Sequence, residues 1–211
     1  LGGLSQAERA ALLDEMDLYY RLGTSLRNVR SSAKRIASHV KSLRSYARAD
    51  REKRTDVGVE EGLEESLMLL NHKLDDIEPV RAFGSVPTIT GFAGELNQVW
   101  TNLLSNAIQA MAGTGTLTVA TSAPDSSHVQ VAITDTGPGI SPADLERIFD
   151  LHFTTKEGRV EFGMGLGLTI TRDIVERHNG TIEVASRPGE TTFRVTLPVS
   201  GVDATAIERK D

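Results

Sequence analysis

The stretch GELNQVWTNLLSNAIQAM, residues 95–111 with the preceding glycine, reads as one amphipathic helix around which the rest of the chain is arranged. Apolar side chains recur at steps of three and four and therefore share one face; they are Leu96, Val99, Trp100, Leu103, Leu104, Ala107, Ile108 and Met111. Asn102, Asn106 and Gln109 lie on the other side. Asparagine is a mediocre helix former, so Asn102 and Asn106, one turn apart, indicate a functional role for their carboxamide oxygens. The alternative is that they form an ordinary solvated polar face.

The composition is that of a globular protein, with 39% hydrophobic and 25% charged residues among 211. The formal net charge of −6 argues against nucleic-acid binding. The absence of cysteine excludes disulfides and thiolate metal sites and suits a cytoplasmic protein. No long apolar run is present, so no membrane contact is expected in this segment. The start, LGGLSQAE, has neither signal-peptide features nor a Met, so we expect a fragment with sensory or membrane parts upstream.

Residues 5–50 have a helical pattern, and their second half carries a heptad repeat. Its apolar seam consists of Leu26, Val29, Ala33, Ile36, Val40, Leu43 and Ala47. This seam predicts a coiled coil or helical bundle, and a homodimer through these helices, since so narrow a stripe buries little surface alone. Packing on its own domain is the alternative. The charged stretch at 50–58 reads as a linker, which separates a helical dimerisation segment at 1–54 from a body at 55–200 and a tail at 201–211.

The body is predicted to be α+β, with several antiparallel strands and three longer helices over one face. Helices are expected at 59–74, 95–111 and 166–178, with a short one at 141–149. Strands are expected at 80–83 and 88–92 around a turn, at 116–122 and 128–135 as a hairpin, and at 181–186 and 191–197 as another. Residues 150–163 lack a period and read as a mobile lid, with Phe149 and Phe153 anchoring one end.

Asp135 ends a predicted strand and is followed at once by Gly137 and Gly139 in DTGPGI. Glycines let the backbone turn sharply and let a flat ligand approach closely. An ionised carboxylate only accepts hydrogen bonds, and the exocyclic amino group of adenine is a matching donor. An ordinary Asp-Thr-Gly turn at a strand end is the alternative.

Three glycines in GMGLGL, at 163–168, lead into a predicted helix. Backbone N–H groups and the positive end of the helix dipole suit phosphate there. The spacing fits neither a dinucleotide fingerprint nor a P-loop. Lys156 could reach a terminal phosphate, and the carboxamide oxygen of Asn106 would suffice as the protein ligand of Mg²⁺. A flexible hinge and a solvated surface lysine are the alternatives.

The ordered motifs NQVWTNLLSNAIQAM, DTGPGI, FDLHFTTK and GMGLGL closely resemble the asparagine, first glycine, phenylalanine and second glycine boxes of sensor histidine kinases. These kinases belong to the superfamily of gyrase, Hsp90, MutL and histidine kinase ATPases. The sequences FTTK and NAIQAM are most similar to the corresponding motifs of the nitrogen-regulation class of these kinases. The resemblance implies a Bergerat-type α/β sandwich, a mixed sheet covered by three helices and preceded by a helical dimerisation hairpin, which binds ATP and Mg²⁺.

The resemblance also implies roles for single residues. Asp135 would read the adenine amino group, Asn106 would hold Mg²⁺, and Thr192 would lie near the adenine. Lys156 and Asn102 are the catalytic candidates. Further nucleotide contacts are implied for the flanking positions Gly137, Gly139, Ile140, Phe149, Thr155, Gly163, Met164, Gly165, Leu166, Gly167 and Leu168.

Two departures from the family pattern are visible. Gln109 occupies the position at which many histidine kinases carry Lys or Arg. Another cationic side chain must then neutralise the phosphate charge, and Lys156 is the candidate. No phosphoacceptor motif such as His-Glu-Leu-x-x-Pro is present. The acceptor histidine is therefore expected upstream, with His39 on the heptad helix as a less favoured surrogate. From the acceptor, the phosphoryl group would pass to the receiver domain of a response regulator.

Two other functions remain open at this point. An ATP-hydrolysing clamp of the gyrase, Hsp90 or MutL type carries a glutamate at the position of Asn102. A carboxamide cannot take up a proton at neutral pH, which argues against this reading. A nucleotide-binding pseudo-kinase is not excluded, because the acceptor histidine is not visible.

Overall fold

The computed structural model of the chain divides it into two compact units, Leu1–Ala47 and Arg48–Asp211. The structure describes residues 19–20, 25, 54–74, 76–150 and 167–200. Tyr19, Tyr20 and Ser25 are helical. The predicted coiled-coil seam, most of the lid and the C-terminal tail lie outside the described residues, so the fold below is that of the second unit.

The predicted central helix forms, and all eight apolar residues of its predicted face are buried. The α-helices described in the second unit are α1 (Val59–Leu70), α2 (Ala93–Ala110), α3 (Pro142–Leu145) and α4 (Gly167–Arg177). α2 ends where Ala112 and Gly113 take left-handed conformations, with φ of 53° and 102°. A short 3₁₀ turn, Asn71–Lys73, follows α1 and brings Leu74 into the core beside the leucines of α1.

A five-stranded mixed sheet forms the second layer, in the order β2-β4-β5-β7-β6. Its strands are β2 (Asp76–Phe83), β4 (Thr114–Asp125), β5 (His128–Asp135), β6 (Thr181–Arg187) and β7 (Glu190–Pro198). β2 and β4 are parallel because α2 carries the chain back between them, and the other neighbours are antiparallel. One apolar core joins the sheet to α1, α2 and α4. The predicted α+β class and mixed sheet with helices are confirmed.

The periodicity of β5 places Asp135 in the core layer. Val129, Val131 and Ile133 are buried and alternate with partly exposed residues, and Asp135 continues the buried series. Because successive side chains of a strand point to opposite faces, Asp135 lies on the helix-covered face of the sheet, at the end of its strand.

Three local predictions were wrong. Part of the charged stretch read as a linker forms β1 (Arg54–Val57), which pairs antiparallel with β3 (Ile89–Gly91) in a separate two-stranded sheet. Residues 80–83 and 88–92 therefore do not form a hairpin; the first belongs to β2, which pairs with β4. The short helix stops at Leu145 rather than Phe149, because the following residues close i→i+3 turns, Arg147 N to Asp144 O and Asp150 N to Arg147 O.

Candidate functional site: the ridge of α2 and the end of β5

Asn102, Asn106 and Ala110 form one ridge of α2, because residues four apart stack along a helix. At one end, the Nδ2 of Asn102 donates to the Gly167 carbonyl at 3.3 Å and to Thr171 Oγ1 at 3.4 Å, both in α4. At the other end, a Cβ on Gly137 would lie 3.1 Å from the Cβ of Ala110. The ridge thus runs from the start of α4 to the turn after β5, about 12 Å along the helix axis.

Asn106 lies between these two ends and is partly exposed. Its side chain makes no hydrogen bond to another residue in the described part of the chain. Among the described residues its carboxamide is thus unengaged, whereas the amide group of Asn102 bonds α2 to α4. Oxygen ligands of this kind suit Mg²⁺, which keeps few protein ligands.

Asp135 is 2% exposed, and its Oδ1 accepts a hydrogen bond from the Gly137 N–H at 2.9 Å. A Cβ on Gly137 would lie 2.7 Å from that oxygen, so only glycine fits this turn. Burial raises the pKa of the Asp135 carboxyl, and the hydrogen bond from Gly137 opposes this shift. The site therefore offers a largely desolvated acceptor, which favours a ligand that brings its own N–H donor.

The turn after Asp135 is fastened to the β6–β7 hairpin. Gly139 has a φ of +85°, and a side chain there would collide with the carbonyl oxygen of Arg187. The N–H of the next residue, Ile140, donates to Ser186 Oγ at 2.8 Å. Both glycines thus lie where a side chain would collide with neighbouring atoms of the protein, and the predicted close approach of a ligand stays a prediction.

The threonine beside Asp135 is Thr191, whereas sequence reasoning selected Thr192. Thr191 is the cross-strand partner of Asp135, and directly paired residues share a face of the sheet. Thr192 pairs with Thr134, and their hydroxyl oxygens lie 2.8 Å apart on the opposite face. Because the side chains of a strand alternate, the two threonines cannot both face Asp135.

The start of the predicted lid is held by α4. Thr169 Oγ1 donates to the Phe149 carbonyl at 3.1 Å, and the guanidinium carbon of Arg172 lies 5.6 Å from the centre of the Phe149 ring. Phe149 and Leu168 both pack against the core. Phe149 thus has two partners in α4 that the sequence did not indicate, and its role as a lid anchor stays a prediction.

The remaining predicted site residues lie partly outside the described chain. Gly167 opens α4, next to Asn102. The others are outside the described residues: Thr155, Lys156, Gly163, Met164, Gly165 and Leu166. Their roles stay predictions.

Three of the five histidines are described, and each has a local structural partner. His178 is 1% exposed; its Nε2 accepts from the Phe92 N–H at 3.0 Å, and its Nδ1 donates to the Ile174 carbonyl at 2.8 Å. His72 and His128 are near the surface and bond the Leu69 carbonyl and Asp125. Across the ranges that the structure describes, no group of three His, Asp or Glu side chains is arranged to hold a metal ion.

A buried carboxylate thus lies at the end of β5, and the carboxamides of Asn102 and Asn106 lie along the ridge of α2. A family model described as "Histidine kinase-, DNA gyrase B-, and HSP90-like ATPase" matches residues 92–201, slightly more than half of the chain. The chain belongs to this family of ATPases.

Its relatives are sensor kinases. The chain is 41% identical over 128 residues to the sensor histidine kinase ZraS of Escherichia coli (strain K12), which covers 60% of this chain and 25% of ZraS. The curated relatives are longer proteins, of which the chain spans 22% to 37%.

Solved structures agree with the fold. The catalytic domain of histidine kinase ThkA is 27% identical, with a TM-score of 0.63 over 71% of this chain and 99% of that domain. Full-length ShkA, solved in complex with AMPPNP, is 27% identical, with a TM-score of 0.69 over 83% of this chain and 38% of ShkA. Within the described ranges, no helix combines the length and apolar character needed to span a bilayer.

Proposed function

We propose that this chain is the ATP-binding catalytic core of a two-component sensor histidine kinase. It would transfer the γ-phosphoryl group of ATP to a histidine upstream of this segment, for relay to the receiver domain of a response regulator. The observation that carries the proposal is the ridge of α2, which links a buried carboxylate at one end to a glycine-led helix start at the other. The similarity to ShkA, solved with AMPPNP, supports an adenine nucleotide as the ligand.

The adenine would bind at the end of β5. There the Asp135 carboxylate would accept the hydrogen bond of the amino group, with Thr191 beside it. Phosphates would lie toward the start of α4, because the first backbone N–H groups of a helix and its dipole favour negative charge. Lys156 and the glycines at 163 and 165 would complete the phosphate side and belong to the proposal alone.

Asn106 would hold Mg²⁺ through its carboxamide oxygen. When bound, the ion would neutralise charge on the phosphate oxygens during transfer. Asn106 suits this role because its side chain is partly exposed and unengaged among the described residues. It lies between the two ends of the ridge, which is where a nucleotide spanning them would present its phosphates.

Asn102 favours a kinase over a hydrolysing clamp. A carboxamide cannot act as a general base. Its amide already donates to Gly167 and Thr171, so we assign it a positioning role toward α4 rather than a role in proton transfer.

The finer features of the kinase are also proposals. A homodimer would form through the N-terminal helices, since the heptad seam of 26–47 needs a partner. The sequences of the FTTK and NAIQAM motifs favour the nitrogen-regulation class of histidine kinases. A cytoplasmic location is consistent with the absence of cysteine.

The decisive experiment supplies the missing acceptor. The 211-residue chain is incubated with radiolabelled ATP, Mg²⁺ and a separate helical domain that bears a phosphoacceptor histidine. We expect acid-labile, base-stable label on the acceptor and only slow phosphate release without it. Rapid steady hydrolysis in the absence of acceptor would instead favour the clamp.

A further inference from the structure

Ser186 in β6 engages three groups with a single hydroxyl. Its Oγ lies 2.8 Å from the Ile140 nitrogen, 2.8 Å from Thr191 Oγ1 and 3.3 Å from the Glu190 carbonyl oxygen. A serine hydroxyl has one donor and two acceptor positions. Accepting from Ile140 and Thr191 while donating to Glu190 uses all of them, so this hydroxyl is fully engaged.

Two of the residues that Ser186 contacts, Thr191 and Ile140, are connected to Asp135 through the sheet and through the chain. Thr191 is the cross-strand neighbour of Asp135, and Ser186 is in turn the cross-strand neighbour of Thr191. Ile140 ends the DTGPGI turn that Asp135 begins. One hydroxyl therefore connects the strand beside the carboxylate to the end of the turn that follows it.

The backbone next to Ser186 is in close contact with the same turn. Gly139 approaches the Arg187 carbonyl so closely that no side chain could be accommodated there. Because Gly139 can adopt many conformations, this contact does not by itself fix the direction of the turn. The hydrogen bond from the Ile140 N–H to Ser186 supplies the directional restraint that the glycine lacks.

We propose that Ser186 is a positioning residue for adenine recognition. Its hydroxyl fixes Thr191 and Ile140 relative to the Asp135 carboxylate, and so sets the geometry in which that carboxylate meets an exocyclic amino group. The inference rests on the proposed function, in which Asp135 reads adenine. Recognition by a single buried acceptor depends on placement within a fraction of an ångström, so loosening both neighbours should weaken it.

An ordinary structural hydroxyl would behave differently. It would stabilise the β6–β7 hairpin, and its loss would lower the melting temperature without changing which base is preferred. The distinguishing quantity is therefore the ratio of affinities for ATP and inosine triphosphate, which carries a carbonyl in place of the adenine amino group. This ratio measures amino-group recognition and is insensitive to the phosphates.

The test measures both affinities by calorimetry on the full 211-residue chain with Mg²⁺. Ser186→Ala removes the hydroxyl, Ser186→Thr restores it, and Ser186→Cys replaces the alanine variant if that one does not fold. The matched control is Thr181→Ala, which deletes an exposed hydroxyl from the same strand. We expect Ser186→Ala to lower ATP affinity roughly 5- to 30-fold, which corresponds to the loss of one hydrogen bond in a partly buried setting.

The result that supports the proposal is a reduced ATP-to-inosine-triphosphate ratio in Ser186→Ala that recovers in Ser186→Thr and is unchanged in Thr181→Ala. Parent-like ATP affinity, or equal losses for both nucleotides, would overturn the positioning role while leaving the proposed function intact. A parent chain that binds no ATP would overturn the proposed function and this inference together.

Discussion

At the scale of single residues, Asp135 is both the proposed adenine-binding group and a buried carboxyl with a raised pKa. Burial raises the pKa of its carboxyl in the folded state, so its favourable contribution to folding is fully present below its unfolded pKa of about 4 and is lost as pH rises through the folded value.

Asp135→Asn keeps an acceptor for Gly137 but adds a donor. We expect ATP affinity to fall by about 1–3 kcal/mol, and the unfolding free energy of the unliganded variant, relative to the parent, to rise between pH 4 and pH 7. Calorimetry and urea unfolding across this range measure the two effects; a pH-independent difference in stability would contradict the second.

Asn106 and Asn102 provide a matched pair, one turn apart on the same ridge. Asn106→Ala should weaken Mg²⁺-ATP binding more than metal-free ATP binding, because only the metal ligand is lost. Asn102→Ala removes hydrogen bonds to Gly167 and Thr171 and should weaken both forms alike. Titrations with Mg²⁺ and with EDTA test this, and an equal loss of both forms in Asn106→Ala would remove that residue from the metal site.

At the scale of elements, what could be predicted depends on how local the signal is. The predicted bounds of α2 agree with the observed ones to within two residues, because the apolar periodicity that predicts a helix lies within the element itself. β1 was missed because its partner β3 lies more than thirty residues away and its charged sequence has no alternation. Thr192, the predicted adenine neighbour, lies on the face opposite Asp135, and sequence alone did not show this because a shift of one residue in a strand reverses the face. The role of Ser186 had no local signal, since its partner Ile140 is 46 positions away.

His178 connects two elements and makes their contact dependent on pH. Its ring joins the C-terminus of α4 to Phe92, just before α2, and this pairing requires a neutral ring with an unprotonated Nε2. Burial lowers the pKa of His178, while Glu95, 4.0 Å away, opposes the shift and Arg177 adds to it. With a depressed folded pKa, the stability that His178 contributes is present above its unfolded pKa, about 6.5, and is lost as pH falls toward the folded value.

Unfolding in urea should therefore show a stability loss between pH 7 and pH 5 that His178→Gln reduces. His72→Gln, which changes an exposed histidine, is the control and should retain the loss. A parent-like pH profile in His178→Gln would contradict the assignment of this stability loss to His178.

At the scale of the whole molecule, dimerisation and nucleotide binding are predicted to be separable. A truncated chain beginning at Arg48, the first residue of the second unit, should be monomeric and should bind ATP with parent-like affinity. The full chain should be dimeric, because the seam that includes Leu26, Ile36 and Leu43 needs a partner. Light scattering measures both masses, and a dimeric truncated chain would show that the dimer contact lies outside the seam.

The chain should also be unable to phosphorylate itself, although it should phosphorylate a supplied acceptor. Phosphoryl transfer is mainly positioning and charge stabilisation, but it still requires an imidazole in line with the γ-phosphate. His178 is buried with both ring nitrogens engaged, and the sequence around His39 lacks the acidic neighbour that acceptor histidines of the family carry. Radiolabelled ATP should therefore leave no acid-labile label on this chain, whereas adding an upstream helix with a His box should restore labelling. Acid-labile phosphate mapped to His39 would make the heptad helix itself the phosphoacceptor, and His39→Gln, which should then abolish the label, is the variant that would establish it.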